Sequence, residues 1–305
     1  MDQSPANAAA ASGRLGPEAF ERLLVQLRPR LHRYCARMLG SVIDAEDIVQ
    51  EASIKAIEAV AQAAAIANPD AWLFRVVHNA ALDALRQRAR QPGFGDDEDL
   101  AMVSDPVDEV HQREAAAAGL HTFMRLPVAQ RGTVILKDVL GYSLDEVCGI
   151  MGSSLPAVKA ALHRGREALR AAVEEPDDRP KPALSRSERA RLTDYVERFN
   201  ARDFDAIRDM LAQDVQVELV SKTRLKGRTE VGSRYFVNYS RVDDWHFEPG
   251  FVDRTPAIVV RDPHDPARRP AYFILVHWAD GHVATVRDFR HASYVIDGAE
   301  VLGLE

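Results

Sequence analysis

The stretch YSLDEVCGIMGSSLPAVKAALHRGREALRA, residues 142–171, predicts two helices joined by a tight turn. Apolar residues recur at helical spacing over residues 144–151, which predicts a short first helix. Gly152 supplies the turn, because glycine adopts a positive φ at little cost. Ser154 is placed to cap the second helix, and Pro156 fits its first turn. Together these signals predict a helix-turn-helix.

The second of these helices has an apolar stripe and a basic face. The stripe predicted to be buried consists of Leu155, Val158, Leu162 and Leu169. The adjacent face carries Lys159, His163, Arg166 and Arg170, with Arg164 on another side of the helix. A major groove admits such a helix, and the flanking cations would hold phosphates. The alternative, a solvated basic face on a structural helix, stays open from this pattern alone.

Charge is distributed unevenly along the 305 residues. The net charge of −7 alone argues against nucleic-acid binding, because phosphate contacts need cations. Residues 71–90, however, hold four arginines against one aspartate, and residues 159–170 hold four lysines and arginines against one glutamate. Between them, residues 96–109 hold seven acids and no base. The basic charge is therefore concentrated in two patches.

Composition excludes several classes of protein. The hydrophobic content of 46% excludes wholesale disorder, and no apolar run approaches the roughly 20 residues that span a bilayer. The N-terminus lacks the pattern of a secretory signal. Cys35 and Cys148 have no nearby cysteine or histidine, which favours buried thiols over a disulfide or metal site. We expect a cytoplasmic protein without a cofactor.

Two further helical segments carry charged faces. In DAWLFRVVHNAALDALRQRAR, residues 70–90, one face holds Arg75, Asn79, Asp83 and Arg86. In DAEDIVQE, residues 44–51, Asp47 and Glu51 lie one turn apart, with Asp44 close by. Acidic residues cannot hold phosphate, so this octamer suits a basic protein partner. An ordinary solvated acidic face remains the alternative.

The composition shifts along the sequence predict six segments. They are a disordered leader (1–16), a helical region (17–91), an acidic linker (92–111), a second helical region with the helix-turn-helix (112–174), a proline-containing linker (175–186) and an α+β domain (187–305). In the last segment a helix that bends near Asn200–Asp203 precedes several alternating, β-rich runs.

Three stretches in series resemble the extracytoplasmic-function sigma factors of bacterial RNA polymerase. Residues 28–57 resemble the family's core-polymerase region, 70–90 its minus-10 region and 126–170 its minus-35 region. The resemblance implies a core-polymerase surface that includes Asp44, Glu46, Asp47, Gln50 and Glu51. It implies that Arg75, Asn79, Asp83 and Arg86 line the melted minus-10 strand. It also implies that the residues that contact minus-35 DNA are Ser154, Lys159, His163, Arg164, Arg166 and Arg170.

The predicted recognition helix departs from the family pattern at three alanines. Ala157, Ala160 and Ala161 stand where the family usually has small hydroxyl or basic residues. Each alanine removes a side-chain hydrogen bond, worth about 1–3 kcal/mol of base discrimination where it is bidentate. We therefore expect minus-35 recognition that depends on phosphates and DNA shape.

The C-terminal stretch LTDYVERFNARDFDAIRDMLAQDVQVELV, residues 192–220, resembles the opening of the SnoaL-like, ketosteroid-isomerase-like cone fold. KGRTEVGSRYF, residues 226–236, fits that family's next turn and helix. The fold often encloses a pocket, and the candidate pocket residues are Tyr235, Tyr239, His277, Asp288, His291 and Tyr294. Three roles stay open for this domain: a protein-contacting regulator, a ligand-binding module or an enzyme.

The overall prediction is a multi-domain protein with two all-α sigma lobes followed by an α+β cone-fold domain. It would not be an enzyme, and its partners would be core RNA polymerase and promoter DNA, with no membrane partner. The C-terminal domain would contact the sigma lobes and modulate them, so that a dedicated anti-sigma factor is not required. The alternative is a helix-turn-helix regulator fused to a small-molecule-binding or enzymatic cone-fold domain.

Overall fold

The computed structural model describes residues 16–62, 66–89 and 109–304. They form two compact units: the described residues from 16 to 174 except 41–43, here the helical unit, and residues 175–304 with 41–43, here the C-terminal unit. The predicted leader lies outside the described residues except for Gly16, and so does the acidic linker up to residue 108. No helix within the described ranges is long and apolar enough to cross a membrane.

The helical unit contains eight α-helices among its described residues. They are α1 (Pro17–Leu39), α2 (Val42–Gln62), α3 (Pro69–Ala89), α4 (Glu109–Ala117), α5 (Leu120–Met124), α6 (Val128–Val134), α7 (Leu144–Met151) and α8 (Leu155–Glu174). A π-helical turn, Ile135–Val139, continues α6. The prediction of two helical regions is confirmed, and residues 109–111 of the predicted linker belong to α4.

Local sequence explains where these helices begin and end. The periodic apolar residues of α1, from Phe20 to Met38, are buried, and Gly40 ends the helix in the left-handed conformation with φ 72°. Asn68 accepts a hydrogen bond from the backbone N–H of Ala71 (3.1 Å) and so satisfies a free donor at the start of α3. Pro69 occupies the first turn, where its missing N–H costs nothing.

The two helical regions pack directly on each other. The guanidinium of Arg131 on α6 donates to the carbonyl of Met38 at the end of α1 (2.6 Å), and burial lowers the pKa of Arg131 to about 10. The ring of Tyr142 meets that of Phe74 edge-on at 5.0 Å, and its hydroxyl donates to Asp70 on α3. These contacts hold the two helical regions together in this conformation, in addition to the segment of chain that connects them.

The C-terminal unit has the predicted α+β character. Its helices are α9 (Arg186–Asn200), α10 (Phe204–Met210) and α11 (Arg228–Ser240), and a 3₁₀ helix spans Arg290–Ile296. Its strands are β1 (Leu211–Leu219), β2 (Thr223–Lys226), β3 (His246–Val252), β4 (Thr255–Arg261), β5 (Pro270–Ala279), β6 (His282–Asp288) and β7 (Val301–Gly303). The predicted bend is a complete break between α9 and α10, where Arg202 has φ 58°. The order of elements is the one that the cone-fold resemblance implies.

The seven strands form one sheet in the order β2-β1-β6-β5-β4-β3-β7. All neighbours are antiparallel except β1 and β6, and a turn at Asp280–Gly281 joins β5 to β6 with positive φ at both residues. The core lies between one sheet face and the helices. Phe199 of α9 stacks on Phe247 of β3 at 4.3 Å.

The proline-containing segment is attached to the C-terminal unit. The guanidinium of Arg179 bridges Asp177 (2.7 Å) and Glu300 (3.0 Å). Arg254 donates to the backbone carbonyl of Pro180. Residues 177–180 are therefore held against the sheet's end rather than acting as a free spacer.

Candidate functional site

The helix-turn-helix forms as predicted from α7 and α8. Ser143 and Glu146 make a reciprocal capping box at the start of α7, with Ser143 N–H to Glu146 Oε2 at 2.8 Å. Gly152 turns the chain with φ 65°. Ser154 then accepts a hydrogen bond from the N–H of Ala157 (3.4 Å), so its predicted position at the start of α8 is confirmed. As a cap, Ser154 orients the helix that follows.

The apolar stripe of α8 is buried except at its first residue. Val158, Leu162 and Leu169 are buried, but Leu155 is 38% exposed, so its predicted burial is wrong. Residues 152–157 are all exposed, so the turn before α8 and the first turn of α8 form one exposed segment. Of the three alanines singled out, only Ala157 is exposed, and Ala160 and Ala161 are buried.

Most of the predicted cations of α8 are accessible. Lys159 is exposed one turn after Leu155, while His163 and Arg164 are half-buried. His163 Nδ1 lies 3.3 Å from Glu167 Oε2 on the next turn. Arg170 is exposed and lies 3.1 Å from the ring of His111 on α4. Lys159 and Arg170 are thus the exposed cations on the predicted basic face of α8, with His163 partly exposed between them and Arg164 partly exposed on another side of the helix.

Arg166 does not belong to this accessible set. Its residue exposure is 4%, and its Nε and Nη2 donate to the two carboxylate oxygens of Asp138 at 2.9 and 2.7 Å. Asp138 lies in the π-helical turn and is itself buried. Such a bidentate pair is geometrically specific and occupies the guanidinium. The prediction that Arg166 holds a phosphate is therefore wrong, and its role is to join α8 to the preceding turn.

The predicted face of α3 is exposed along its whole length. Each of its four members is exposed, namely Arg75, Asn79, Asp83 and Arg86. Asp83 and Arg86 pair at 2.9 Å, and both side chains are about two-thirds accessible. The opposite side of α3 holds the buried Leu73, Phe74 and Val77. This division leaves a polar face with arginines at both ends and an amide between them.

The acidic face of α2 is exposed only in part. Asp47 and Glu51 are exposed, and Glu51 pairs with Lys55 at 2.7 Å. Asp44 and Gln50 are half-buried, and Asp44 accepts from Arg88 of α3 at 2.8 Å.

Glu46 is a correction to this predicted surface. Its side chain is 0% exposed and pairs with Arg28 of α1. Its position on the inner side of α2 makes it part of the packing between α1 and α2. It therefore does not lie on a surface that a partner could touch.

Sequence reasoning missed two exposed isoleucines on α2. Ile54 is exposed one turn after Gln50, and Ile57 follows one turn later. Large apolar side chains next to an acidic pair are typical of a surface that a protein partner covers. The signal was present in the sequence, since helical spacing from Glu51 places Ile54 beside it.

The candidate pocket residues divide into two groups. Tyr235, Tyr239 and Asp288 come together in the buried interior of the C-terminal unit. Both tyrosine hydroxyls donate to Asp288 Oδ2, at 2.9 and 2.7 Å. His277 and His291 are exposed, so their placement in a pocket is wrong, and Tyr294 is half-buried.

Arg290 and Tyr272 complete the Asp288 cluster, and the sequence pattern did not indicate either. The backbone N–H of Arg290 donates to Asp288 Oδ1 (2.8 Å), and its guanidinium donates to the Tyr272 hydroxyl (2.9 Å). Burial raises the pKa of Asp288, and the hydrogen bonds from Tyr239, Arg290 and Tyr235 oppose that effect. Both carboxylate oxygens are thus occupied by groups of the protein itself.

Comparisons with known proteins agree with the helical geometry. The family model described as Sigma-70 region 2 matches residues 23–91, and the one described as Sigma-70, region 4 matches residues 120–169. The ECF RNA polymerase sigma factor SigW of Bacillus subtilis is 31% identical over 166 residues, which cover 50% of this chain and 88% of the relative.

Two solved structures are similar over longer or later parts of the chain. The extracytoplasmic function sigma factor SigJ of Mycobacterium tuberculosis is 22% identical, covering 88% of this chain and 95% of its own, at a TM-score of 0.34. A SnoaL-like protein of unknown function from Burkholderia thailandensis is 20% identical, covering 40% of this chain and 99% of its own, at a TM-score of 0.28.

Proposed function

Because the chain belongs to the extracytoplasmic-function RNA polymerase sigma factors, we propose that three of its helical surfaces each hold one partner. The family directs bacterial RNA polymerase to promoters and starts transcription there. The exposed face of α3 holds the melted minus-10 strand, α8 enters the minus-35 major groove, and the exposed part of α2 binds core polymerase. The protein is a transcription factor of the cytoplasm and not an enzyme.

The minus-35 assignment depends on the exposed first two turns of α8. In helix-turn-helix proteins the N-terminal residues of the second helix meet base edges, and the flanking residues hold the backbone. Lys159, Arg164 and Arg170 remain as phosphate contacts, with His163 beside them. Arg166 is not in the proposed set, because Asp138 occupies its guanidinium.

The minus-10 assignment depends on the polar face of α3. Arg75 and Arg86 provide positive charge for a single strand's phosphates. Asn79 provides an amide that can donate to and accept from a base. Asp83 lies against Arg86 and orients it.

The core-polymerase assignment depends on the acidic and apolar residues of α2. Asp47 and Glu51 suit a basic partner, and Ile54 and Ile57 supply the apolar area that such a contact would bury. Glu46 contributes by holding α2 on α1 rather than by touching the polymerase.

The C-terminal unit is proposed as a built-in regulator that contacts the sigma lobes. Attachment through a short segment keeps it at high effective concentration near them, so a weak contact suffices and a dedicated anti-sigma factor is not required. Its Asp288 is surrounded by the protein's own donors, which supports a packed regulatory domain over a catalytic one.

Run-off transcription with purified core polymerase tests the proposal. We expect transcripts from the full-length protein and an altered yield when residues 183–305 are deleted. Circular dichroism of the truncated protein provides the folding control. If core polymerase gave the same transcript yield with and without the added protein, the assignment of all three surfaces would be contradicted.

A further inference from the structure

The first turn of α8 presents an apolar surface where a DNA-reading helix ordinarily presents polar groups. Leu155 is 38% exposed, and Pro156 and Ala157 beside it are also exposed. At about 100° per residue these three positions span the outer side of the turn. None of them can donate or accept a hydrogen bond through its side chain.

Folding does not account for an exposed Leu155. The buried stripe of the same helix begins at Val158, which is 1% exposed, and continues through Leu162 and Leu169. Ser154 already caps the helix through the N–H of Ala157. Leu155 is therefore neither part of the fully buried stripe nor needed as a cap, and 38% of its surface remains available to a partner.

The adjacent charge and the family match indicate that this partner is DNA. Lys159 is exposed one turn after Leu155, so the apolar turn is continuous with a cationic one. The segment lies within residues 120–169, which match the Sigma-70, region 4 family. In such helix pairs the N-terminal residues of the second helix face base edges.

Only one base-edge feature of the major groove suits an aliphatic side chain. Guanine, adenine and cytosine present donors and acceptors there, and thymine adds a 5-methyl group. We propose that Leu155 determines minus-35 specificity by packing on the 5-methyl group of a thymine, with Ala157 and Pro156 widening the apolar surface. This inference rests on the proposed role of α8.

The size of the effect follows from the area that one methyl group buries. Removing a single buried methyl weakens binding about four-fold, since burial contributes about 0.8 kcal/mol per group. Deoxyuridine differs from thymidine by that methyl alone and pairs in the same way. Replacing thymine by uracil therefore tests the contact without changing any hydrogen bond.

The experiment begins with the holoenzyme selecting minus-35 segments from a randomised promoter library. Each thymine in the selected segment is then replaced by deoxyuridine, and holoenzyme binding is measured for the wild type, Leu155→Ala and Val173→Ala. Val173 is the matched control, because it is 55% exposed on the same helix but in its last turn. For the wild type and for Val173→Ala, we expect replacement of at least one thymine by uracil to lower the affinity of the holoenzyme roughly four-fold. For Leu155→Ala, the same replacement should lower the affinity less than two-fold.

Several outcomes would overturn the inference. One is a selected segment without thymine, and another is a wild type whose affinity does not change with uracil at any position. A third is a Leu155→Ala variant whose affinity falls as much as that of the wild type when thymine is replaced by uracil. If Leu155→Ala lowered the affinity of the holoenzyme by the same factor on thymine DNA and on uracil DNA, Leu155 would contact protein instead of the thymine methyl group. A holoenzyme that selects no minus-35 sequence at all would overturn the proposed role of α8 itself. As a second variant, Leu155→Gln should shift the selected base from thymine towards adenine, which glutamine can bind through two hydrogen bonds.

Discussion

Lys159 and Arg166 lie on the same helix, and their surroundings give them different tasks. Lys159 is exposed, so Lys159→Ala should leave folding unchanged and weaken promoter binding on all sequences alike. The slope of log affinity against log salt should fall by about 1, the value for one lost phosphate contact. Filter binding of the holoenzyme between 50 and 200 mM salt measures it.

Arg166→Ala provides the contrast. It leaves the buried carboxylate of Asp138 without its bidentate partner, which costs about 3–5 kcal/mol of the free energy of unfolding. Urea denaturation should show that loss, whereas Lys159→Ala should keep the wild-type midpoint. A stable Arg166→Ala protein with a lower salt slope would show that Arg166 holds phosphate after all.

The sequence could predict the cation pattern of α8 but not which cation is buried. Lys159 and Arg166 are seven residues apart and share a helical face. What separates them is Asp138, 28 residues before Arg166, which the π-helical turn brings to α8. Helical periodicity describes one helix and contains no information about its neighbour.

The acidic pair on α2 gives a second prediction at this scale. The double reversal Asp47→Lys with Glu51→Lys should weaken core-polymerase binding at least ten-fold, because both carboxylates are exposed beside Ile54. The broken Glu51–Lys55 pair costs only about 0.3–0.5 kcal/mol. Co-purification with core enzyme measures the effect.

Glu21→Lys is the control for this reversal. Combined with Glu18→Lys, which is also exposed on α1, it changes the net charge by the same amount as the double reversal but away from the proposed surface, and it should leave core binding intact. A double reversal that co-purifies with core enzyme as the wild type does would contradict the assignment of α2.

At the scale of elements, α1 and α3 are joined by a buried pair that makes their packing sensitive to pH. The hydroxyl oxygen of Tyr34 on α1 and the Nδ1 atom of His78 on α3 lie 2.5 Å apart, and both residues are buried. Burial lowers the pKa of His78 to about 4, with a smaller contribution from Arg86. The neutral imidazole is therefore the form that the fold accommodates.

The sign of the pH dependence follows from that lowered pKa. Between the unfolded value of about 6.5 and the folded value, the unfolded chain binds a proton that the folded chain does not. The contribution to stability is complete above pH 6.5 and is lost as the pH falls. From pH 6.5 to 5 the loss should be about 1.6 kcal/mol. Urea denaturation at both pH values measures it, and His78→Gln should flatten the difference.

Elements of the C-terminal unit also show what alternation in a sequence can and cannot predict. The strands and the Asp280–Gly281 turn follow from the alternation of apolar and polar residues. That alternation does not show on which face of the sheet His277 lies. The run FILVHW, residues 273–278, is apolar at nearly every position, and the register of β5 against β6 shifts between His277 and Trp278. The histidine consequently lies on the exposed surface.

At the scale of the helical unit, the packing of its two regions conflicts with the task proposed for them. Promoter elements named for positions about 25 base pairs apart are separated by about 85 Å of B-form DNA. A compact unit of about 150 residues has a radius of gyration of about 15 Å. The contacts of Arg131 with Met38, and of Tyr142 with Asp70 and Phe74, must therefore break before α3 and α8 can engage both elements.

Energy transfer between two dyes tests this separation. Val25→Cys on α1 and Val173→Cys on α8 place the dyes on exposed positions, with Cys148→Ser to remove a half-buried thiol. We expect high transfer in the free protein and low transfer in the holoenzyme on promoter DNA. Tyr142→Phe removes the hydroxyl that donates to Asp70 and should lower transfer in the free protein, because it weakens the closed packing without touching either DNA surface. Transfer that stays high on promoter DNA would mean that the two regions remain packed, and α3 and α8 could then not hold the two elements at once.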